Sequence, residues 1–369
     1  MKNKKSIGVI TYFAYNYGAF LQAYALQKTM KNIGFDCELI NYDYMRDRTL
    51  LGIPWSNINK PIKFCASVLK KLVLFSKTKK RTAIMKESVY NNLHFSKQRY
   101  KSAQQLRESP PQYDIYLTGS DQVWNPTINA QGFETRLLDF VYSSQGKLVS
   151  YAASIGLAEF PTDKIALTKE YLTRFDAISV REEEAKNILA PFIDKDVQRH
   201  VDPTLLREKK DWLEFGKPIT EIQGPYIFVY MLANQPKLVK YANDLSKKLN
   251  LKILSVGNGM AFQNRILSDK SLSPEQFVWG IANAEYVVAN SFHGTCFSVL
   301  FKKKARIFIP PTVQCRIVEL IEGCNLSRLL EDVIIKNSDV ERLYLGADKY
   351  LAKERKRAYE YLMHLKDLE

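Results

Sequence analysis

Short apolar runs alternate with amphipathic stretches along most of the chain, and this pattern constrains the fold more than any other feature. In the second half, apolar runs at 225–232, 251–257 and 285–290 precede stretches in which apolar residues recur with helical spacing. Strands that alternate with helices in this way build βαβ units on a parallel sheet. The first half begins with the same pattern, because a strand is predicted over 6–12 and a helix over 19–34. We therefore predict an α/β protein with two Rossmann-like, doubly wound domains.

The length of the chain agrees with two domains. At 369 residues it exceeds what one hydrophobic core usually supports. We place the N-terminal domain at 1–210, with a basic insertion near 55–110, and the C-terminal domain at 211–369, with a C-terminal helix. Ligands of open parallel sheets bind beyond the carboxyl ends of the strands. The expected site therefore lies in the cleft between the two domains.

Positive charge is concentrated in one segment. The chain has a net charge of +15, and residues 60–107 contain thirteen Lys or Arg against one acidic residue, Glu87. Such a block favours an anionic partner, which could be a nucleic acid, a membrane surface or a phosphorylated substrate. Within 61–81, apolar residues follow helical spacing and most lysines lie elsewhere, as in an amphipathic helix that docks on anionic lipid. A helix that packs on a core and exposes its lysines to solvent has the same pattern.

The positions of cysteine and histidine argue against disulfides and structural metal. The five cysteines form no C-x-x-C pair, as is typical of free thiols in a reducing cytoplasm. None of the four histidines has a second metal ligand at the spacing that zinc sites use. The N-terminal apolar stretch is too short for a signal peptide, and no later stretch reaches the roughly 20 apolar residues that cross a bilayer. We expect a cytoplasmic protein, either free or peripheral at the inner face of the membrane.

A histidine and two hydroxyl residues follow the strand predicted at 285–290. Ser291, His293 and Thr295 stand at the start of the next predicted helix. Free backbone N–H groups and the positive end of the helix dipole favour an anion there, and an imidazole beside it can transfer protons. The alternative interpretation is a serine N-cap with an incidental histidine.

Further polar residues follow strands of the predicted N-terminal domain. In the loop 119–126, Asp121 could accept a proton from a sugar hydroxyl and Trp124 could stack on a sugar face. The same residue types are equally ordinary in turns. Asn16 and Tyr17 lie in the turn after the first strand, where a phosphate or carboxylate commonly binds in this kind of fold. The alternative there is simply a tight turn.

Two arginines stand at positions from which they could reach the cleft. Arg181 ends the strand predicted at 176–182, and Arg316 lies in the helix after the last predicted strand. Either guanidinium could bind a carboxylate or a phosphate. A single arginine of this kind more often forms a surface salt bridge.

Five sequence blocks occur in order along the chain. They are GSDQVWNP (119–126), YAASIG (151–156), FDAISVREE (175–183), VDPTLL (201–206) and ANSFHGTCFSVLF (289–301). In this order and spacing they resemble the polysaccharide pyruvyl transferase family. The resemblance implies a fold similar to that of GT-B glycosyltransferases, with phosphoenolpyruvate as the donor. It also implies that His293 belongs to the donor site.

The chain departs from the family pattern at one position. Many members have an arginine two residues before the C-terminal histidine, whereas this chain has Ser291. The negative charge of the donor must then be met by other residues. Arg181 and Arg316 are our first candidates, and Lys302 to Lys304 are further ones.

The resemblance implies a pyruvyltransferase that moves the enolpyruvyl group of phosphoenolpyruvate onto a sugar of a surface or exopolysaccharide precursor. A pyruvate ketal forms, phosphate is released, and no cofactor is required beyond the donor substrate. The acceptor would be a glycan or a lipid-linked saccharide on the N-terminal side of the cleft, with the donor on the C-terminal side. The predicted catalytic residues are His293 and Asp121, the donor-binding residues are Ser291, Gly294, Thr295, Arg181 and Arg316, and the acceptor-binding residues are Asn16, Tyr17 and Trp124.

Two other functions fit parts of the sequence. A GT-B glycosyltransferase that uses a nucleotide sugar would share the architecture, and phosphate release from phosphoenolpyruvate would distinguish the two enzymes. A basic nucleic-acid-binding protein would account for the charge and the interleaved aromatic residues of 60–107. That function leaves the ordered motifs at the strand ends unexplained, so we expect no nucleic acid partner.

Overall fold

Two parallel sheets, each of five strands within the described part of the chain, organise the structure. The computed structural model describes residues 4–13, 16–42, 80–128, 132–142, 146–257, 262, 265–268, 272–310 and 314–368. Counted from its own first strand, each sheet has the same spatial order of strands. Helices connect neighbouring parallel strands in both halves, as the alternating sequence pattern predicts.

The N-terminal sheet consists of β1 (Ser6–Ile10), β2 (Asp36–Tyr42), β3 (Phe95–Tyr100), β4 (Ile115–Thr118) and β5 (Lys147–Ser150). Its spatial order is β3-β2-β1-β4-β5, and all its pairs are parallel. Two short strands, β6 (Ile178–Val180) and β7 (Val197–Arg199), pair with each other and continue beside β5. From the sequence pattern we predict the last of these strands at 199–203, but it ends at Arg199, and Asp202 instead caps a short helix.

Helices cover this sheet. Those described are α1 (Tyr17–Ile33), α2 (80–92), α3 (Ala103–Glu108), α4 (Thr162–Leu172), α5 (Glu183–Leu189), α6 (Pro203–Leu206) and α7 (Lys209–Phe215). Helix α1 begins where the side chain of Asn16 accepts a hydrogen bond from the backbone N–H of Ala19 at 2.8 Å. It ends at Gly34, whose φ of 109° lies in the left-handed region that glycine adopts readily. The Asn16 cap therefore places the start of α1 shortly after the carboxyl end of β1.

The C-terminal sheet consists of β8 (Tyr226–Met231), β9 (Lys252–Gly257), β10 (Arg265–Ser268), β11 (Tyr286–Ala289) and β12 (Ala305–Ile307), in the spatial order β10-β9-β8-β11-β12. All its pairs are parallel, and the central strand β8 is buried along its whole length. Burial on both faces explains why β8 is a continuous apolar run in the sequence. Its helices are α8 (Pro236–Leu249), α9 (Pro274–Asn283), α10 (Phe292–Leu300) and α11 (Gln314–Gly323), followed by the long helix α12 (Asn337–His364).

The two halves share contacts on both sides of the cleft. Helix α12 extends back to the N-terminal half, where the hydroxyl of Tyr361 donates to the carbonyl of Ser150 at 2.7 Å. Helix α2 extends the other way, because Ser88 and Asn92 each donate a hydrogen bond of 2.9 Å to the buried carboxylate of Glu275 at the start of α9. The cleft is therefore held between two helices that cross from one half to the other.

Most of the basic insertion lies outside the described residues. The amphipathic helix predicted at 61–81 falls there except for its last two positions, so its docking on anionic lipid stays a prediction. Within the described residues, no helix combines the length and the apolar composition needed to cross a membrane.

Candidate functional site

Charged side chains from both sheets meet where the carboxyl ends of the strands face each other. Arg181 directly follows β6, Asp202 lies shortly after β7, and His293 lies in the first turn of α10 after β11. Arg316 joins them from α11. All four are at least nine-tenths buried. Because charged groups are rarely buried unless they are paired or functional, this cluster is the strongest site candidate in the described part of the chain.

Asp202 is the centre of the cluster. Its Oδ2 lies 2.9 Å from Nη1 of Arg181 and 3.5 Å from Nε2 of His293, and it accepts a hydrogen bond of 3.3 Å from Ser120. Its Oδ1 accepts from both the backbone N–H and the hydroxyl of Thr204, at 2.9 and 2.7 Å. Burial alone would raise the pKa of Asp202, but the charges of His293 and Arg181 hold it well below its usual range. Asp202 is therefore an ionised carboxylate that touches both halves of the molecule.

Asp202 is not among the site residues that the sequence predicts. An aspartate before a proline is an ordinary helix cap, and Asp202 does cap α6. Its position in the block 201–206 could have indicated a functional role, because this block follows β7, which ends in the same cleft as β6 and Arg181.

Arg181 is held by carboxylates of its own half. Its Nε lies 2.9 Å from Glu182 and its Nη1 lies 2.9 Å from Asp202, while its Nη2 is 4.0 Å from Oδ1 of Asp121. Burial opposes its charge, but Glu182, Asp202 and Asp121 together raise the pKa of Arg181. Its guanidinium also lies over the ring of Phe292, 4.6 Å from the centroid, across the cleft. The positive charge of Arg181 is thus already compensated within the protein.

Arg316 is in the opposite situation. Only 5% of its surface is exposed, its Nε has no hydrogen-bond partner, and it forms no ion pair with any residue that the structure describes. Burial lowers the pKa of its guanidinium and the neighbouring charge of Arg181 lowers it further, while the charges of Glu182 and Asp121 offset this only in part. A buried cation without a partner is costly, so this position favours an anionic ligand.

A small cavity lies beside these residues. Its lining includes Arg181, Asp202, Phe292 and Arg316, and it has room for water-sized molecules only. The cavity also reaches a second ion-pair network, in which Arg199 lies 3.3 Å from Glu319. A ligand larger than water can reach Arg316 only if the cleft opens or side chains move.

His293 lies between Asp202 and the start of α1. A Cβ atom added to Gly18 would come within 2.1 Å of Nδ1 of His293, so only glycine lets α1 approach the imidazole this closely. The other ring nitrogen, Nε2, faces Asp202 and has no hydrogen bond to a described residue. Gly18 is a second residue that sequence analysis left out of the site, although it stands beside the predicted Tyr17.

Three of the predicted donor-binding residues build the start of α10. The hydroxyl of Ser291 accepts from the backbone N–H of Gly294 at 2.9 Å, and the hydroxyl of Thr295 donates to the carbonyl of Ser291 at 3.0 Å. A Cβ on Gly294 would lie 2.7 Å from the Ser291 hydroxyl. Ser291 is thus the N-cap that the simpler interpretation of the motif predicts, and the helix that it caps also carries His293 into the cluster. Donor binding by these three residues stays a prediction.

The predicted acceptor-binding residues are mostly buried. Trp124 is 1% exposed, donates its indole N–H to the carbonyl of Arg136 at 3.2 Å and packs edge-on against Phe175, so its ring has no free face for a sugar. Tyr17 is also 1% exposed, stacks on Phe277 at 4.5 Å between centroids and donates to the carbonyl of Leu272. Both aromatic rings therefore pack in the interior. An aromatic side chain that follows a strand can point into the core as easily as into the cleft.

The remaining predicted residues divide into two groups. Asp121 lies at the edge of the cluster with 14% of its side chain exposed, and the partly buried Asn16 caps α1. The three lysines at 302–304 lie elsewhere: Lys302 pairs with Asp348 at 2.7 Å, Lys304 pairs with Glu285, and Lys303 donates to the carbonyl of Ala282. These lysines are engaged in other contacts and do not join the cluster.

Metal-ligating residues do not converge in the described part of the chain. No group of three or more His, Cys, Asp or Glu side chains there has an arrangement that could hold a metal ion.

Solved structures with the same fold extend over the whole chain. A UDP-N-acetylglucosamine 2-epimerase is 11% identical, with a TM-score of 0.57 over 100% of this chain and 97% of that chain. The MnaA protein of S. aureus, in a co-structure with UDP, is 11% identical, with a TM-score of 0.51 over 99% of this chain and 98% of that chain. At this identity the likeness concerns the fold alone, and it confirms the predicted GT-B-like architecture of two Rossmann-like domains.

Sequence comparisons give the family. No curated protein sequence matches the chain. The family model for polysaccharide pyruvyl transferases matches residues 16–310, which include all five sequence blocks and every charged residue of the cluster except Arg316. A match over this much of the chain shows that the protein belongs to the polysaccharide pyruvyl transferase family, whose members are transferases that act on polysaccharides.

Proposed function

We propose that this protein transfers the enolpyruvyl group of phosphoenolpyruvate to two hydroxyls of one sugar in a polysaccharide precursor, with release of phosphate. The observation that carries the proposal is Arg316, a buried cation that has no partner among the described residues and lies in the same cluster as His293. Phosphoenolpyruvate has a carboxylate and a phosphate, so it supplies the negative charge that this position lacks.

The reaction requires a proton donor, a proton acceptor and a cation. His293 would protonate the methylene carbon of the donor, which leaves a cationic centre at C2. A sugar hydroxyl attacks C2 and loses its proton, the C2–O bond to phosphate breaks, and a second hydroxyl attacks C2 and loses its proton. Of the two protons released, one balances the proton added to the methylene and the other leaves with phosphate. The product is the ketal.

The geometry supports a division of these tasks. Asp202 is fully buried and ionised, so it can orient the His293 imidazole and stabilise its protonated form without exchanging protons itself. Asp121 is the more exposed carboxylate, and in this proposal it accepts the proton of the attacking hydroxyl. Arg316 binds an anionic group of the donor, while Arg181, already compensated, fixes Asp202 and Phe292 in place.

Phosphate release tests this proposal. Purified protein is incubated with phosphoenolpyruvate and a panel of aryl glycosides with free hydroxyl pairs, and inorganic phosphate is followed by phosphorus NMR. We expect phosphate to appear together with a new ketal methyl signal, and only when both substrates are present. Transfer from a UDP-sugar with no reaction of phosphoenolpyruvate would contradict the proposal and favour a glycosyltransferase.

A further inference from the structure

We propose that Arg81 is a second anion-binding residue of this site and that it binds a phosphate or diphosphate group carried by the acceptor. The assignment of this anion to the acceptor rests on the proposed function, in which the donor and the acceptor bind on opposite sides of His293. The binding of the anion itself does not depend on that function.

Arg81 lies at the edge of the cleft on the α1 side of His293. It belongs to α2, directly after the undescribed part of the basic insertion. Its guanidinium carbon is 5.7 Å from the centroid of the Tyr17 ring. The next residue, Gly18, is the one whose missing Cβ makes room for Nδ1 of His293. Adjacent residues of α1 thus contact Arg81 and the imidazole.

A buried hydroxyl links Arg81 to Asp121 as well. Burial raises the pKa of Tyr230, and Tyr17 raises it further, while the charge of Arg81 lowers it and the charge of Asp121 raises it. Tyr230 also packs edge-on against Tyr17, with 6.2 Å between ring centroids. Arg81 and Asp121 therefore both lie within electrostatic range of Tyr230, whose ring packs against Tyr17.

The charge of Arg81 is uncompensated in the described structure. No carboxylate that the structure describes forms an ion pair with it, whereas Arg181 has three acidic neighbours. A guanidinium that lies on an aromatic ring keeps its N–H groups available at its edge, in a fork that matches phosphate oxygens. Arg81 is well suited to hold a phosphate by two parallel hydrogen bonds.

The two uncompensated arginines differ in burial, and this difference assigns them to different substrates. Arg316 is buried beside a cavity that admits only water-sized molecules, so a small donor such as phosphoenolpyruvate reaches it more readily on opening of the cleft than a polysaccharide would. Arg81 is only partly buried, which suits a group on a larger molecule that extends into solvent. Arg81 contacts Tyr17, whose neighbour Gly18 approaches His293, and Asp202 beside His293 lines the same cavity as Arg316. In this arrangement an enolpyruvyl group bound on one side of the imidazole could meet a hydroxyl bound on the other.

Pyrophosphate is the probe for the anion site. Its binding to the full-length protein is measured by calorimetry at low ionic strength with saturating phosphoenolpyruvate, so that the donor site is filled, and again without it. We expect Arg81→Ala to weaken pyrophosphate binding at least about tenfold. We expect Arg81→Lys to retain part of it, because the charge remains and the fork is lost. Lys86→Ala, at an exposed cation on the same helix, should bind as the wild type does.

Two outcomes would overturn the inference. One is equal pyrophosphate binding by the wild type and by Arg81→Ala; the other is a loss of phosphoenolpyruvate affinity in Arg81→Ala with pyrophosphate binding retained. If phosphoenolpyruvate fails to bind to the wild type, the proposed function fails, but the Arg81-dependent binding of pyrophosphate still decides this inference.

Binding of two further ligands distinguishes the kinds of acceptor that could carry the diphosphate. Uridine diphosphate stands for a nucleotide-linked acceptor, and a short-chain isoprenyl diphosphate stands for a lipid-linked acceptor. Arg81-dependent binding of either supports the inference and identifies the carrier. If neither ligand depends on Arg81, the inference is wrong.

Discussion

The loops after β4 and after β11 occupy equivalent places in the two sheets, yet they contribute opposite charges to the site. The loop after β4 carries Asp121, and the same half also supplies Glu182 and Asp202, against one cation, Arg181. The C-terminal half supplies His293 and Arg316, and its carboxylate near the cavity, Glu319, is paired with Arg199. One half of the cleft can therefore accept protons from hydroxyls, while the other can bind an anion and donate a proton.

The two loops also differ in local structure. After β11 the chain turns directly into α10, which presents His293 in its first turn beneath a serine cap. After β4 the chain forms an irregular loop, in which Asp121 has a φ of 63°, a left-handed conformation that aspartate tolerates better than most residues. The helix fixes the imidazole rigidly, and the loop leaves a carboxylate partly exposed at the edge.

The largest expected effect is at the residue that joins the two halves. Asp202→Asn should destabilise the protein by about 3 to 5 kcal/mol at neutral pH, because it removes the charge that Arg181 and His293 face in a buried site. The pKa of Asp202 is lower in the folded protein than in the unfolded chain, where it is near 4. The stabilisation by this carboxylate is therefore complete well above the unfolded pKa and is lost as the pH falls toward the folded pKa. Denaturant unfolding at pH 7 and near pH 3 should show the difference between wild type and variant shrinking.

An exposed aspartate provides the control for this comparison. Asp244→Asn removes a carboxylate that pairs with Lys240 on the surface of α8, and it should leave the unfolding midpoint unchanged. Equal stability of Asp202→Asn and wild type at pH 7 would show that Asp202 does not hold the two halves together.

Removal of the proposed proton donor has the next largest expected effect. His293→Ala should lower transfer at least about 100-fold, equivalent to about 2.7 kcal/mol, as expected for a positioned acid group, while the protein stays folded. His364→Ala, at an exposed position on α12, is the matched control and should have normal activity. Near-normal turnover in a folded His293→Ala variant would remove His293 from the chemistry.

A smaller effect is expected where α1 touches the imidazole. Gly18→Ala places a methyl carbon 2.1 Å from Nδ1 of His293, so the ring must shift, and we expect transfer to fall roughly tenfold. Gly216→Ala adds the same methyl where the nearest atom is 3.4 Å away, and it should be neutral. Steady-state rates with saturating donor distinguish the two variants, and equal rates would mean that the close approach of α1 has no role in the reaction.

The smallest effect separates the two interpretations of Ser291. Ser291→Ala should destabilise the protein by about 1 kcal/mol through loss of the cap on α10, with the affinity for phosphoenolpyruvate unchanged within about twofold. Thermal unfolding measures the change in stability, and calorimetry measures the affinity for phosphoenolpyruvate. A tenfold loss of donor affinity would instead confirm the sequence prediction that Ser291 binds the donor.

The sequence predicted the fold more completely than the site. Strands predicted at 225–232 and 251–257 are Tyr226–Met231 and Lys252–Gly257 in the structure, because fully buried parallel strands are continuous apolar runs. The strand Phe95–Tyr100 was not predicted, since it lies in the basic insertion, where charged residues alternate with few apolar ones.

The site could be predicted only in part, because burial and pairing are set by tertiary contacts. His293 and Arg181 follow strands, and that position was visible in the sequence. The sequence does not show that Arg181 forms ion pairs while Arg316 forms none with a described residue. That difference depends on carboxylates that the fold brings together after β6, after β7 and in the loop after β4. Trp124 was wrong as a sugar platform for the same reason, because the sequence does not determine whether an aromatic ring beyond a strand end turns into the core.

The binding of phosphoenolpyruvate to the C-terminal half is the central claim, and calorimetry on Arg316→Ala tests it most directly. We expect the wild type to bind phosphoenolpyruvate and Arg316→Ala to bind it about 10- to 150-fold more weakly, the loss typical of one charge-assisted contact. The thermal stability of that variant should be equal or higher, because the change removes a buried charge that has no partner in the described structure. Arg328→Ala, at an exposed arginine, should match the wild type in affinity. Unchanged affinity in Arg316→Ala, or no binding by the wild type, would contradict the account.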